Sequence, residues 1–312
     1  MRAAVYERFG GPEVLEVRDI PRPRAKRGEV LVRVRVAALN PKDLLIRKGR
    51  MKLLSGTRFP RFTGYDFAGE VAEAPDGAGG LRPGERVFGM LNGHCGGTCA
   101  EYVAVPVTEL VRTPGGLGDA EAASLPLVSL TALQALRDVA GLRPGQGVLI
   151  IGASGGVGTV AIQLARSLGA TVTTVSGPHN LALCRELGAH RALDYVAEAP
   201  LRGGTYDVIF DVFGKTRFED ARKALAPRGC FVSTVPSRAI FTAWARTLVG
   251  RQRARLVVVK SRAADLEHLV TLVGDGRLRA VVDRELPLDA IREAQAFLET
   301  RRARGKVVLR VA

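Results

Sequence analysis

Aromatic residues are scarce: Phe, Trp and Tyr make up 5% of the 312 residues, with one Trp. That leaves little for stacking platforms of the kind single-stranded nucleic acids need. Cysteine is scarce too. Four (Cys95, Cys99, Cys184, Cys230) cannot form a disulfide framework for so long a chain, so free thiols in a reducing compartment are expected. No apolar run approaches the ~18 residues that cross a bilayer, because Arg, Asp, Glu or Gly interrupts each one. The opening MRAAVYERFGGPEV carries charges at Arg2, Glu7 and Arg8 and has no apolar h-region, so it reads as no signal peptide and the expected compartment is the cytoplasm. Carboxylates are in the minority, 31 against 46 Lys and Arg, for a formal charge of +15. Such an excess suits nucleic acid or an anionic surface. Here it is dispersed over 22–35, 47–61, 246–255 and 301–310 without interleaved aromatics, and a nucleic-acid partner is not expected.

What is present is a 46% hydrophobic, 25% charged chain, too long for one ordinary core and suited to two domains. In the first third Val30, Val32, Val34 and Val36 alternate with Leu31, Arg33 and Arg35, and Gly and Pro punctuate short segments, which predicts a small barrel-like β domain. After about residue 120, strand-like runs at 148–152, 171–176, 192–195, 207–213, 230–234 and 255–259 alternate with helical stretches. This predicts an α/β fold with a doubly wound, six-stranded parallel sheet. The strand–helix–strand ending follows the sixth run and is expected to fold back on the first domain. The boundaries are therefore set at 1–120 with 271–312, and 121–270. The phrase GLRPG, at 80 and 141, reads as convergent turn chemistry rather than a duplication.

The strongest chemical signal is VLIIGASGGVGTVAIQLARSLGA. A buried strand ends at Gly152, the small residues Ala153, Ser154, Gly155 and Gly156 follow, and a helix runs from near Gly156 through Val157 until Gly169. Such a loop lets backbone N–H groups approach a pyrophosphate at a positive helix end, so it predicts dinucleotide binding, with Ala153 in place of the first glycine of the usual pattern. A ribose with free hydroxyls calls for a carboxylate at the end of the second strand. Ser176, Gly177, Pro178, His179 and Asn180 stand there instead. Ser176, His179 and Asn180 can donate to a 2′-phosphate, with Arg185 or Tyr195 in support, so NADPH (NADP) is favoured over NADH.

The motifs AALNPKDLLIRKG (37–49), GYDFAGEV (64–71), PGERVFG (83–89), GGTCAEYVAV (96–105), AASLPLVSLTALQAL (122–136), GASGGVGTVAIQLA (152–165), LGAHRALDY (187–195) and RARGKVVL (302–309) together resemble the medium-chain dehydrogenase/reductase superfamily. Within it they are similar to the zinc-free quinone oxidoreductase, or zeta-crystallin-like, branch. The resemblance implies a GroES-like catalytic domain built from both chain ends, a Rossmann domain between them, an active site in their cleft and a homodimer formed through the edge strand RLVVV. The positions where zinc-dependent members keep their catalytic ligands are Asn40, Tyr65 and Leu127, a poor donor set for zinc; the structural-zinc lobe is missing as well. His94, Cys95 and Cys99 look like a metal cluster but lack a fourth ligand, and no metal is expected.

Without a Lewis acid the acceptor should already be electrophilic. The resemblance implies hydride transfer from NADPH to a quinone, with reduction of enals or enones as the alternative. A reading of another class, an NADPH-gated protein that binds RNA or anionic membrane, rests on the +15 charge. By matching position, Asn40 is expected to contact substrate or nicotinamide, or else to shape the turn before Pro41. Tyr65 is expected to donate to the reduced carbonyl or else to pack in the wall, and Asp66 to fix backbone. Thr131 and Arg301 match positions where relatives touch the cofactor. Leu45 departs from branch members that carry tyrosine there. The basic stretch IRKGRMKLLSGTRFPRF reads as a wall of the substrate site, and SRAIFTAWARTLVGRQR as a cap over the nicotinamide or part of a dimer contact.

Overall fold

The computed structural model describes residues 1–202 and 204–312. Two compact units are present: Met1–Leu127 with Lys260–Asp275 and Ala280–Ala312, and Val128–Val259 with Gly276–Arg279. The chain is an α/β protein with a GroES-like β-rich unit and a Rossmann-like unit.

The first unit begins with β1 (Arg2–Tyr6), β2 (Glu16–Asp19) and β3 (Glu29–Ala38), then two short helices, α1 (Pro41–Arg47) and α2 (Lys52–Ser55). Strands β4 (Arg61–Phe62), β5 (Asp66–Glu73), β6 (Arg86–Met90), β7 (Tyr102–Pro106) and β8 (Leu110–Arg112) follow, and helix α3 (Asp119–Ser124) leads on to α4 (Pro126–Leu133). Strand β3 is the spine. Val30, Leu31, Val32 and Val34 are buried while Arg33 and Arg35 face solvent, and β3 pairs antiparallel with both β5 and β7. A separate three-stranded sheet has the order β2-β1-β4.

The second unit holds β9 (Gly147–Ile151), α5 (Gly156–Ser167), β10 (Thr171–Ser176), α6 (Leu181–Glu186), β11 (Arg191–Asp194) and β12 (Tyr206–Asp211). It continues with α7 (Phe218–Ala221), β13 (Leu225–Ser233), α8 (Arg238–Arg246) and β14 (Arg253–Leu256). Its six strands are parallel, in the order β11-β10-β9-β12-β13-β14, the doubly wound arrangement with its reversal beside β9. The sixth strand lies earlier than the apolar run 255–259 predicted. Its pairing with β13 runs from Cys230↔Arg253 to Ser233↔Leu256 and ends, after a bond from the Val257 N–H to Ser233 O at 3.0 Å, with β13 itself, so Val258 and Val259 have no ladder to join.

The chain then returns to the first unit with α9 (Ala263–Gly274), β15 (Val282–Pro287), α10 (Ile291–Glu299) and β16 (Lys306–Arg310). Strand β16 pairs with β15 and with β3, closing the order β15-β16-β3-β5-β6-β8. Helix α9 falls in the first unit rather than in the second as the expected boundary at 270 had it. The Ser261 N–H donates to Asn92 Oδ1 at 2.8 Å just ahead of it, and Leu266 and Leu269 are fully buried.

The repeated GLRPG phrase makes the same turn twice. Gly84 and Gly145 have φ of +87° and +81°, and the next residue's N–H returns to the Arg82 and Arg143 carbonyls. Pro followed by a positive-φ Gly is type II turn chemistry, and one copy stands in each unit.

Candidate active site

In the second unit β9 ends at Ile151 and the chain turns through Gly152 to Gly155, the residue before α5. The first bond of α5 runs from the Thr159 N–H to Gly155 O at 2.9 Å, so the N–H groups of Gly156, Val157 and Gly158 have no intrahelical carbonyl. Together with the dipole of a 12-residue helix they make an anion-receptive end. Close packing holds it in place: a Cβ on Gly158 would stand 2.3 Å from Gly152 O and 2.6 Å from Ala153 Cα, so only glycine lets the helix start approach the strand end.

At the end of β10 Ser176 is buried, and in the turn beyond it His179 is exposed. Asn180 Nδ2 donates to Ser154 Oγ at 3.0 Å, joining this turn to the glycine loop. Asn180 Oδ1 is buried with no hydrogen-bond partner, an acceptor left for a ligand donor. Tyr195 is 62% exposed, and its ring lies next to Gly177. Thr131 is buried in α4. The free N–H groups, the glycine contact and the orphaned Asn180 oxygen fit a dinucleotide. Sequence reasoning passed over one carboxylate, Asp194, in register with Ser176 across β10 and β11. Its Oδ1 accepts the Val196 N–H at 2.9 Å and closes a turn.

In the first unit two of the three positions expected to replace zinc ligands, Asn40 and Leu127, are tied into a buried polar network. Lys306 Nζ donates to Asn40 Oδ1 (2.6 Å), Asp66 Oδ2 (3.0 Å) and Leu39 O (3.0 Å). Asn40 Nδ2 donates to Asp66 Oδ2 at 3.0 Å and to Ala38 O at 3.3 Å, and the Leu127 N–H donates to Asp66 Oδ1 at 2.9 Å. Asn40, Asp66 and Lys306 are 1%, 0% and 4% exposed. The Asn40 side chain thus has its donors and its acceptor engaged within the protein. A carboxamide, a phenol and an alkyl side chain beside a buried ammonium do not fit zinc, which takes thiolate, imidazole or carboxylate donors and would be repelled by the Lys306 charge.

The network continues through α1. The Asn40 N–H donates to Asp43 Oδ2 at 2.8 Å, and Asp43 Oδ1 accepts from Thr63 Oγ1 (2.9 Å) and the Gly64 N–H (2.7 Å). Burial pushes the Asp43 carboxyl above its ordinary value, against the pull of these bonds. Gln295 on α10 donates to Thr63 Oγ1 at 3.1 Å and accepts from Arg47 Nε at 2.7 Å, and Arg47 pairs with Glu299. Residues 40–66 are thereby fastened to the C-terminal segment by side chains more than 200 positions apart in sequence.

Tyr65 projects from this frame. It is 1% exposed, and its hydroxyl forms no hydrogen bond among the described residues. Lys42 Nζ lies 3.8 Å from the centre of its ring and donates to Gly93 O at 2.5 Å. Burial, reinforced by the Asp43 carboxylate, holds the phenol well above its ordinary value, so it is a neutral O–H donor at physiological pH.

The family model for the alcohol dehydrogenase GroES-like domain matches residues 26–115, and the one described as zinc-binding dehydrogenase matches residues 187–309. The chloroplast envelope quinone oxidoreductase homolog of Arabidopsis thaliana is 33% identical over 99% of this chain and 98% of its own. The chain belongs to the medium-chain dehydrogenase/reductase superfamily, as a quinone oxidoreductase-like member. Another relative, the NADPH-dependent alkenal/one oxidoreductase, chloroplastic, of Arabidopsis thaliana, is 34% identical over 99% of this chain and 79% of its own. The quinone oxidoreductase structure from Coxiella burnetii superposes with a TM-score of 0.92 at 33% identity, covering 100% of this chain and 99% of that one.

On this frame Asn40 and the Leu127 N–H meet at Asp66, with Tyr65 its chain neighbour, while Ala153, Ser154, Gly155, Gly156, Val157, Ser176, Asn180 and Tyr195 gather around the start of α5 and the end of β10. Arg301 is the residue after the α10 C-cap, with a φ of +59° that side-chain-bearing residues seldom adopt. The His94–Cys99 stretch is spread out: Cys95 is exposed, Cys99 is buried, and burial pushes the Cys99 thiol well up. No group of three or more His, Cys, Asp or Glu side chains able to hold a metal occurs among the described residues. No helix of the described residues is long and apolar enough to cross a membrane. Lys306 was missed as a site residue, although it lies in the quoted motif RARGKVVL, because a lysine before an apolar strand gives no sign that its partners are residues 40 and 66.

Proposed function

We propose that this oxidoreductase is an NADPH-dependent, zinc-independent reductase of quinones. The observation that carries the reading is the Asn40–Asp66–Lys306 network, a satisfied ammonium–carboxylate–amide cluster that engages the side chain at one matching ligand position, Asn40, and the backbone N–H of another, Leu127. Bound NADPH would supply a hydride, held by the N–H groups of residues 156–158 and by Ser154, Ser176 and Asn180. With no metal to polarise an alcohol or a simple carbonyl, the acceptor must itself be electrophilic, as a quinone is. Tyr65 then donates a hydrogen bond to the oxygen that gains negative charge, which takes its proton from solvent as product leaves. The Lys42 cation over the ring makes that O–H a better donor. Asn40 enters as a positioning residue that holds Asp66 and Lys306, in place of the substrate contact considered from sequence. A second reading, reduction of enals or enones at the β-carbon, is supported by the alkenal/one oxidoreductase relative and uses the same groups.

NADPH oxidation with 9,10-phenanthrenequinone and with a 2-alkenal tests the proposal. Faster turnover of the quinone is expected, preference for the alkenal selects the second reading, and turnover of neither refutes both. The NADPH preference rests on the neutral Ser176. Ser176→Asp is expected to weaken NADPH about tenfold and spare NADH, because a carboxylate there repels a 2′-phosphate and accepts from ribose hydroxyls. Paired titrations with the two nucleotides check this, and an equal loss for both would count against the 2′-phosphate argument.

A further inference from the structure

Lys42 is a cation without a counter-ion. It stands half-buried in the first turn of α1. Among the described residues its ammonium group makes two polar contacts, an N–H to Gly93 O and an approach to the Tyr65 ring. Three carboxylates act on it from a distance, and each is committed elsewhere. Asp43 accepts from the Asn40 N–H, Thr63 and the Gly64 N–H. Asp66 on β5 holds Lys306, Asn40 and the Leu127 N–H. Glu109, beyond β7, accepts from the backbone and the side chain of Asn92. An ammonium has three N–H donors, so one is left over. A charge that the fold neither pairs nor returns fully to water is costly, and its place beside Tyr65 points to a negative charge that arises during the reaction.

The spare donor is close to the phenol. With Nζ over the ring face, the phenol oxygen at the ring's edge is roughly 5 Å from it, and two donors that each approach a shared oxygen to about 2.8 Å can stand that far apart. Both are held in place before any acceptor arrives. The Leu91 N–H donates to Tyr65 O at 2.9 Å and the Gly97 N–H to Gly64 O at 3.0 Å, which fixes the stretch bearing Gly93 alongside Tyr65. Arg61 Nη2 donates to His94 O at 3.2 Å and steadies the same stretch.

We infer that Lys42 is a second catalytic donor: its ammonium N–H and the Tyr65 O–H meet the same acceptor oxygen, and its charge offsets the negative charge that oxygen gains when the hydride arrives. The inference rests on the carbonyl-type acceptor proposed above, quinone or enone. The hydride brings both electrons, and the proton still comes from solvent. A lysine that only ties down Gly93 would touch no substrate, and one that only polarises the Tyr65 O–H would matter only while that O–H is present. Lys42→Met is therefore made in the wild type and in Tyr65→Phe. With 9,10-phenanthrenequinone, kcat is expected to fall about tenfold or more in both backgrounds with KM little changed, and Lys42→Arg to keep most of the rate. Lys42→Gln, which can still donate to Gly93 O but carries no charge, serves where the Met variant folds poorly. No further loss in the Tyr65→Phe background, or a change confined to KM, overturns the inference.

The ammonium acts only while protonated. The wild-type kcat should thus fall as pH rises through the Lys42 value, which burial holds below the ordinary 10.5 against the pull of Asp43, Asp66 and Glu109. His94 does not confuse the profile, because burial, Lys42 and Arg61 lower its own value below the ordinary 6.5. Lys42→Met should lack this basic limb, and a limb that survives the substitution contradicts the role. Binding of p-nitrophenol with NADP present separates this inference from the proposed reduction. The wild type is expected to bind the phenolate in preference to the neutral phenol, and Lys42→Met to lose that preference. If neither the quinone nor a 2-alkenal is turned over but the preference holds and depends on Lys42, the reduction falls and the oxyanion site stands. Absence of the preference, or one that Lys42→Met leaves intact, overturns the inference whether or not the quinone is reduced.

Discussion

Lys306→Met is expected to destabilise the protein by about 3–5 kcal/mol, because it leaves a carboxylate buried without its cation. The side chains of Asp66 and Lys306 are 0% and 5% exposed and meet at 3.0 Å. Removing Lys306 also strips one partner from Asn40 Oδ1 and from Leu39 O. The discriminating variant is Lys306→Met with Asp66→Asn. It has no charge to bury and keeps an oxygen for the Leu127 N–H, so it is expected to be more stable than the single Met variant by at least about 1 kcal/mol. Urea unfolding of the wild type, both single variants and the pair closes the cycle. Additive losses would mean that Lys306 and Asp66 do not act as a unit.

Tyr65→Phe is expected to lower kcat with a quinone about 100-fold while KM changes little, as loss of a hydrogen-bond donor that acts in the transition state should. The hydroxyl has no partner among the described residues to lose, so the substitution should leave the melting temperature close to the wild-type value. Burial and Asp43 raise the phenol above its ordinary 10.0, so it stays protonated throughout the neutral range. No basic limb from Tyr65 should therefore appear in the wild-type pH–rate profile below that value. A KM effect with kcat unchanged would instead make Tyr65 part of the wall.

How much of this was legible in the sequence varies with the range of the interactions involved. TVTTVS gives β10 residue for residue, since alternation is a local signal, and the glycine loop announces the start of α5 because only small residues permit it. Strand β14 was misplaced because three valines outweighed the pairing partner, whose end at Ser233 sets where the ladder stops. Helix α9 was assigned to the wrong unit because the Asn92–Ser261 bonds span 169 positions. At the site, the poor zinc donors at positions 40, 65 and 127 were readable from residue type. That Asn40 faces inward, with Lys306 and Asp66 as its partners, depends on β16 lying beside β3, and nothing local to either segment encodes that pairing.

Hydride transfer without a metal is what is proposed for this oxidoreductase. Its most direct test measures the zinc content of the purified protein and the NADPH-dependent reduction of 9,10-phenanthrenequinone before and after exhaustive chelation. The account predicts zinc well below one atom per chain and an unchanged rate. Stoichiometric zinc, with activity lost on chelation and restored by the metal, would contradict it.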